Sequence, residues 1–271
     1  MPDPFPTVDP DWYRRSFGGD YLRIYRARGA EAAEREAAFA RRALGIAAGE
    51  RVLDLACGAG RHSAPLARAG LRVVGLDRSR PLLGAARRLL GPAVPLVQAD
   101  MRRLPFLPAF RAVLSFFTSF GYFSDDAEDR RVLAETARVA LPGGGLLLDL
   151  PDRDTTIATL VPASERVEGD GLEIAERRRI TADGRRVEKE IRVRRRGREG
   201  AEGAASPPGA GCAGEERWCE SVRLYAHDEI RPALAGSGWR VTAVHGDFSG
   251  APWRPGGTAR MIFIARREER E

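Results

Sequence analysis

Between Arg51 and Leu150 short apolar runs alternate with helix-forming stretches, and nothing else in the 271-residue chain constrains the fold as strongly. Arg51–Ala56 (RVLDLA) leads into a Gly-rich turn, Cys57–Gly60, and His62–Ala69 reads as a helix. Arg72–Leu76 is a second apolar run, ending at Asp77, with a helix over Arg80–Leu90 after it. Val94–Ala99 ends at Asp100, and Arg111–Phe117 is the next run. A helix over Asp126–Ala140 separates it from the fifth, Leu146–Leu150. Strands joined through helices lie parallel with right-handed crossovers, so the expected fold class is α/β.

The flanks read differently. Residues 1–10 hold four prolines and form an extended lead-in. From Asp11 the pattern is helical, with aromatics at Trp12, Tyr13, Phe17, Tyr21 and Tyr25. Ala30–Leu44 is rich in the strong helix formers Ala, Glu and Arg and stops at Gly45. After Leu150 the period changes. Gly171–Ile180 and Arg185–Arg196 alternate in period two around Asp183-Gly184, a hairpin signal. Residues 197–216 are rich in Gly, Ala, Pro and Glu and are expected to be a mobile loop. Arg217–Leu224 resumes strand character, His227–Ser237 reads as a helix, and Trp239–Val244 and Met261–Ala265 are the last strands. The expected organisation is an N-terminal helical segment (1–44) over the site, an α/β domain (45–154 with 225–271), and an antiparallel β cap insertion (155–224).

The formal charge of +6 raises nucleic acid as a partner. Residues 177–198, however, hold eleven Lys+Arg against three acids, so the remainder of the chain is slightly acidic. The excess belongs to one hairpin of the cap. Arginines facing solvent there would keep an edge strand from pairing, and an anionic acceptor drawn to the cap is the sharper reading. No KH, RRM or zinc-knuckle pattern appears, and nucleic acid is not the expected partner. Cys57, Cys212 and Cys219 form no CxxC pair, which argues against a disulfide scaffold and a structural zinc site, and no metal is expected. No apolar run reaches the ~18 residues of a membrane helix, and the N-terminus lacks the apolar core of a signal peptide. The expectation is a cytoplasmic monomer or homodimer away from the membrane.

Val52–Ser63 (VLDLACGAGRHS) carries the chemistry. Glycines at 58 and 60 let the backbone turn tightly and come close to a ligand. Asp77 ends the next strand, 19 residues after Gly58, where a carboxylate can accept both hydroxyls of a ribose. Asp100 ends the third strand, where it can accept an adenine amino group while the Met101 thioether packs on the ring. A nicotinamide or flavin enzyme also fits Gly-x-Gly plus Asp77. The third glycine that such an enzyme uses for close helix–strand packing is missing, and Asp54 would repel a pyrophosphate while suiting an α-amino group. Taken singly, Asp54 and Asp77 each also read as helix caps, and Cys57 as a small buried loop residue.

At these residues the chain resembles the class I S-adenosylmethionine-dependent methyltransferases, nearest the small-molecule branch with the D-L-A-C-G-x-G-R loop. The resemblance covers about 45–150 and extends loosely to R-L-Y-x-x-x-E (Arg223, Leu224, Tyr225, Glu229). It implies a Rossmann-like seven-stranded sheet, mostly parallel with the last strand antiparallel, and S-adenosylmethionine as cofactor. By the same resemblance Ala56, Cys57, Gly58 and Gly60 would hold the methionine moiety, with Asp54 near its amino group. Asp77 and Arg78 would serve the ribose, Asp100 and Met101 the adenine, and Phe116 the methyl-donor pocket. Ala56 stands where many members have glycine, with little consequence expected from so small a residue.

Methyl transfer from a sulfonium is a direct displacement, and alignment in a water-poor pocket supplies much of its rate. A base is needed only for a protonated acceptor, and His245, just before Gly246-Asp247, is the candidate, with Tyr225 beside it as a second catalytic candidate. Tyr13, Phe117, Arg223 and Trp253 are candidates for contacting the acceptor. The segment Ser115–Ser119 (SFFTS) lacks the D/N-P-P-Y/F motif of amino-group nucleobase methyltransferases, and no Pro-Cys follows the strand. A small molecule methylated on nitrogen or oxygen is therefore the expected acceptor; the alternatives are a nucleic-acid methyltransferase and a non-catalytic cofactor-binding regulator.

Overall fold

The apolar runs assemble into one sheet, and what they leave over builds a second. The computed structural model describes residues 4–24, 29–168, 171–195 and 215–268. A 3-10 turn at Trp12–Arg14 and a short helix, α1 (Gly19–Ile24), precede α2 (Ala30–Leu44). The alternating half follows as β1 (Arg51–Leu55), α3 (Ser63–Arg68), β2 (Arg72–Asp77), α4 (Arg80–Leu90), β3 (Leu96–Gln98), β4 (Phe110–Ser115), α5 (Asp126–Val139) and β5 (Ala140–Pro151). After α6 (Arg153–Ala158) come the cap strands β6 (Ala163–Glu168), β7 (Leu172–Ile180), β8 (Arg186–Arg195) and β9 (Glu216–Arg223). Then α7 (His227–Gly236), β10 (Trp239–His245) and β11 (Arg260–Arg267) complete the chain.

The main sheet has the order β10-β11-β5-β4-β1-β2-β3. β1 pairs in parallel with both β2 and β4, while β11 runs antiparallel between β5 and β10. This is the expected seven-stranded arrangement. Helices cover both faces, so successive residues of a strand enter different cores. Leu53, Leu55, Val113 and Phe263 pack on one side with Trp239. Val52, Ala112, Leu114 and Ile262 pack on the other against Phe39 and Leu44 of α2. The helix ends are encoded locally. Gly45 closes α2 in the left-handed conformation, φ +58°, and Ser79 Oγ caps α4 by accepting from Leu82 N–H.

The cap is a separate four-stranded antiparallel sheet, β6-β7-β8-β9, and among the described residues no strand of it pairs with the first sheet. One main-chain bond and one side-chain bond seat it: Arg223 N–H donates to Gly121 O at 2.7 Å, and the Arg186 guanidinium Nη1 donates to Phe123 O at 2.9 Å.

Several expectations change. The basic hairpin is β7–β8, the two interior strands, so its arginines do not guard an edge; the edges are β6 and β9. Those side chains instead form cross-strand ion pairs: Arg177 with Glu190 at 3.2 Å, Arg179 with Glu188 at 2.6 Å, and Lys189 with Glu220 at 3.0 Å. β6 (ASERVE) was too polar to read as a strand. The stretch after Asp11 is not one helix, because Gly18-Gly19 interrupts it and its aromatics turn inward as a cluster. The expected loop 197–216 lies outside the described residues except for Glu215 and Glu216, and Tyr25 and Cys212 lie outside them altogether.

Candidate active site

The carboxyl ends of β1, β2 and β4 open on one edge of the sheet, and a two-lobed cleft lies across them. Tyr21, Ala56, Gly58 and Ser119 border both lobes.

The first lobe contains Asp77, Arg78, Leu82, Asp100 and Met101. Asp77, 8% exposed, does not cap α4. Its Oδ2 accepts from Gly58 N–H at 2.8 Å and its Oδ1 from Ser79 N–H at 2.7 Å, so it ties the β1 loop to the end of β2. Burial pushes its carboxyl above the usual range against those hydrogen bonds. Asp100 is gripped by Arg102, whose Nε donates to Oδ1 at 3.0 Å and Nη2 to Oδ2 at 2.7 Å. This fork outweighs burial and holds Asp100 below its ordinary value. Tyr13 lies in this lobe and not beside Phe117: its ring sits under the guanidinium of Arg78 at 5.3 Å and its hydroxyl donates to Asp11 at 2.9 Å. Phe17 stacks on Tyr122 at 5.6 Å, and Trp12 meets the Tyr122 ring edge-on at 5.2 Å, closing an aromatic wall.

The second lobe contains Asp54, Cys57, Arg61, His62, Phe116 and Phe117. Asp54 is 1% exposed and accepts from Ser63 Oγ at 2.5 Å; burial pushes its carboxyl up to about 7. Cys57 packs against Gly75, where a Cβ would come within 2.9 Å of its Sγ, and burial raises the thiol far above its ordinary range. It is an inert packing residue. Gly60 does not border the cleft. At φ +83° it lets α4 approach, since a Cβ there would meet Leu90 Cδ1 at 2.8 Å.

Sequence reasoning missed His62. Its ring lies flat on Phe116, centroids 4.0 Å apart and planes 15° apart, and Nε2 is 2.5 Å from Glu36 Oε2. Arg61 also reaches Glu36, at 3.0 Å. Burial alone would raise Glu36, yet His62 and Arg61 hold it below its ordinary value. Burial lowers His62 despite Glu36. An ionised carboxylate only accepts, so the neutral ring carries its proton on Nε2 and keeps the Nδ1 lone pair.

The backbone is strained here. Among the described residues only Ala56 (φ +55°), Phe117 (+58°) and Thr118 (+58°) are non-glycine and left-handed. All three belong to the cleft or adjoin it, at about 1–2 kcal/mol each.

Four candidates lie elsewhere. Tyr225 donates to Asp129 Oδ2 at 2.8 Å, and Arg223 bonds Asp126 at 3.2 Å and Glu229 at 2.8 Å, joining cap, α5 and α7. His245 Nδ1 meets Gly250 O at 3.0 Å, with its ring edge-on to Phe39. Trp253 donates to Asp152 at 2.9 Å and stacks on His227. Each is held by a structural partner, and none borders the cleft.

Residues 52–144 match the methyltransferase-domain family. Over 107 residues the chain is 41% identical to a demethylmenaquinone methyltransferase of Renibacterium salmoninarum, covering 39% of this chain and 43% of that one. The chain thus matches about two fifths of the length of such relatives. A longer match, 28% identical over 199 residues, covers 73% of this chain and 79% of the dTDP-3-amino-3,4,6-trideoxy-alpha-D-glucopyranose N,N-dimethyltransferase of Streptomyces venezuelae. Among solved structures, an amino pentose methyltransferase of Micromonospora echinaspora with bound S-adenosylmethionine superposes with a TM-score of 0.63. It is 28% identical, over 92% of this chain and 96% of that one. The residues of the cleft fit that cofactor: an apolar slot beside Met101 and Leu82, carboxylates at both ends, and Gly58, where only Leu82 lies within 4 Å of an added Cβ. Residues 52–144 thus carry the methyltransferase-domain match, and the whole fold is similar to that of the class I S-adenosylmethionine-dependent methyltransferases, whose cofactor the cleft fits.

Proposed function

We propose that the protein methylates an amino nitrogen of a small molecule, with an amino sugar as the first acceptor to try. One observation carries the reading: a single cleft crosses the Ala56–Gly58 loop with Asp77 and Asp100 in one lobe and Asp54 in the other. The relatives matched over most of their length support the nitrogen acceptor, since two of them are named for methylating amino sugars.

Bound S-adenosylmethionine would supply an electrophilic methyl group on a sulfonium. Asp77 would accept the ribose hydroxyls, and Asp100, its position fixed by Arg102, the adenine amino group. Asp54 would face the α-amino group. The wall of Trp12, Phe17 and Tyr122 keeps water from the lobe between them. An amine acceptor must be neutral to attack. His62, in place of His245, takes its proton on Nδ1, and Glu36 stabilises the resulting imidazolium. The free thiols of Cys57 and Cys219 suit a reducing cytoplasm.

Calorimetry with S-adenosylhomocysteine on the wild type and Asp77→Ala tests the cofactor site, with a loss of about tenfold or more expected from two missing hydrogen bonds. Transfer of labelled methyl is then compared across amino sugars, their hydroxyl analogues and RNA. Unchanged affinity in Asp77→Ala, or a dinucleotide copurifying with the chain, rules the cofactor assignment out. Transfer to the hydroxyl analogues or RNA but to no amine rules out the acceptor class.

A further inference from the structure

Two consecutive left-handed residues with bulky or branched side chains do not persist unless the surroundings hold them. Phe117 and Thr118 are such a pair, at φ +58° each, just after β4, and Phe117 lines the second lobe. One residue of β5 and one of β11 hold both. Phe117 N–H donates to Asp149 Oδ2 at 2.7 Å, and Thr118 N–H donates to the Asp149 carbonyl at 3.1 Å. Arg260 fixes the other carboxylate oxygen, Nε to Oδ1 at 2.7 Å, and its Nη2 donates to Thr118 Oγ1 at 3.1 Å. Asp149 is 1% exposed, and its strand pairs with β11 through Ile262, so the grip is anchored in the middle of the sheet. The held ring of Phe117 then faces two guanidinium groups, Arg61 at 5.5 Å and Arg260 at 5.9 Å.

A buried carboxylate needs donors for the lone pairs its cation leaves over, and here the donor is a peptide N–H of the strained turn. Here every described bond of the Asp149 side chain goes either to Arg260 or to that turn. We propose that Asp149 and Arg260 are positioning residues: they hold the Phe117–Thr118 backbone in its left-handed form and so fix the wall of the second lobe against which the methyl donor and acceptor align. This rests on the cofactor lying in that cleft. The pair touches the turn, not the reacting atoms.

The test pairs Asp149→Asn with Thr118→Gly, because glycine adopts the left-handed form without a clamp. In crystals of Asp149→Asn, φ of Phe117 and Thr118 is expected to leave the left-handed region, and S-adenosylhomocysteine to bind about tenfold more weakly. Adding Thr118→Gly to Asp149→Asn is expected to restore affinity to within about threefold of wild type, a recovery that loss of a merely structural ion pair does not allow. Left-handed angles kept in Asp149→Asn with unchanged affinity, or strictly additive effects in the double variant, overturn the proposal. Should Asp149→Asn not fold, Arg260→Lys keeps the buried charge paired while loosening the hold on Thr118, and carries the same comparison. A wild type that binds no S-adenosylhomocysteine defeats the cofactor assignment instead, and the backbone angles still decide the clamp.

Discussion

His62 lies flat against Phe116, 4.0 Å between ring centroids, with the far edge of the imidazole bonded to Glu36 of α2. The stack fixes the ring plane and the carboxylate fixes its tautomer, which are the two requirements for a base that accepts at one defined atom. His62→Ala is expected to slow methyl transfer to an amine about 10²-fold with S-adenosylhomocysteine affinity nearly unchanged. His245→Ala, whose ring is committed to Gly250 and Phe39, is expected to leave the rate intact. Rates of the two variants on one amine acceptor decide the assignment; equal rates sink it.

The Asp54 carboxyl, pushed to about 7 by burial, ties cofactor binding to pH. A cationic ammonium favours the ionised form, so affinity for S-adenosylhomocysteine should fall as pH drops through 7, by up to roughly tenfold per unit below it. In the cofactor-free protein the sign reverses. Between its ordinary 3.8 and about 7 the native state holds a proton that the unfolded state has lost, so this group's contribution to stability is lost as pH rises across that window. Asp54→Asn should flatten both dependences in calorimetry and thermal melts.

Ala56 adopts φ +55°, so its methyl group is not the neutral substitute for glycine that its size implies. Ala56→Gly is expected to stabilise the fold by about 1 kcal/mol, or roughly 2–4 °C in melting temperature. A lower melting temperature would show that lining the cleft matters more than the strain.

Cys57 and Gly75 form a tight contact in which only one can grow. Cys57→Ala should leave methyl transfer within about threefold, because the thiol has no chemical role. Gly75→Ala drives a methyl into Leu96 and Cys57 and should cost about 1–3 kcal/mol. Chemical denaturation of the two variants separates packing from catalysis.

The parts legible in sequence were those encoded by neighbours in the chain. β1 running into Gly58, β2 ending at Asp77 and the hairpin turn at Asp183-Gly184 need only local pattern, and the structure has all three. What escaped depends on partners far away in sequence. Glu36 meets His62 across 26 residues, and Arg260 meets Asp149 across 111. Arg223 and Tyr225 read as functional because a charged and an aromatic residue end a strand. Asp126 and Asp129, almost a hundred residues earlier, claim both side chains. His245 is the same case: residue type says what an imidazole can do, and only the fold says that its ring meets Gly250 and Phe39.

Among the described residues the cap and the main sheet meet through side chains and a few peptide groups, without one shared strand pair. A chain built this way has two parts that can change at different rates. Substitutions, insertions or a new register among β6–β9 alter one sheet and leave the hydrogen-bond ladder beneath the cofactor cleft untouched. The methyltransferase-domain family match follows that division, ending at residue 144, before the cap begins. A cap taken from a relative with a different acceptor could therefore be exchanged as a module, with Arg223, Arg186 and Asp126 as the joints to preserve.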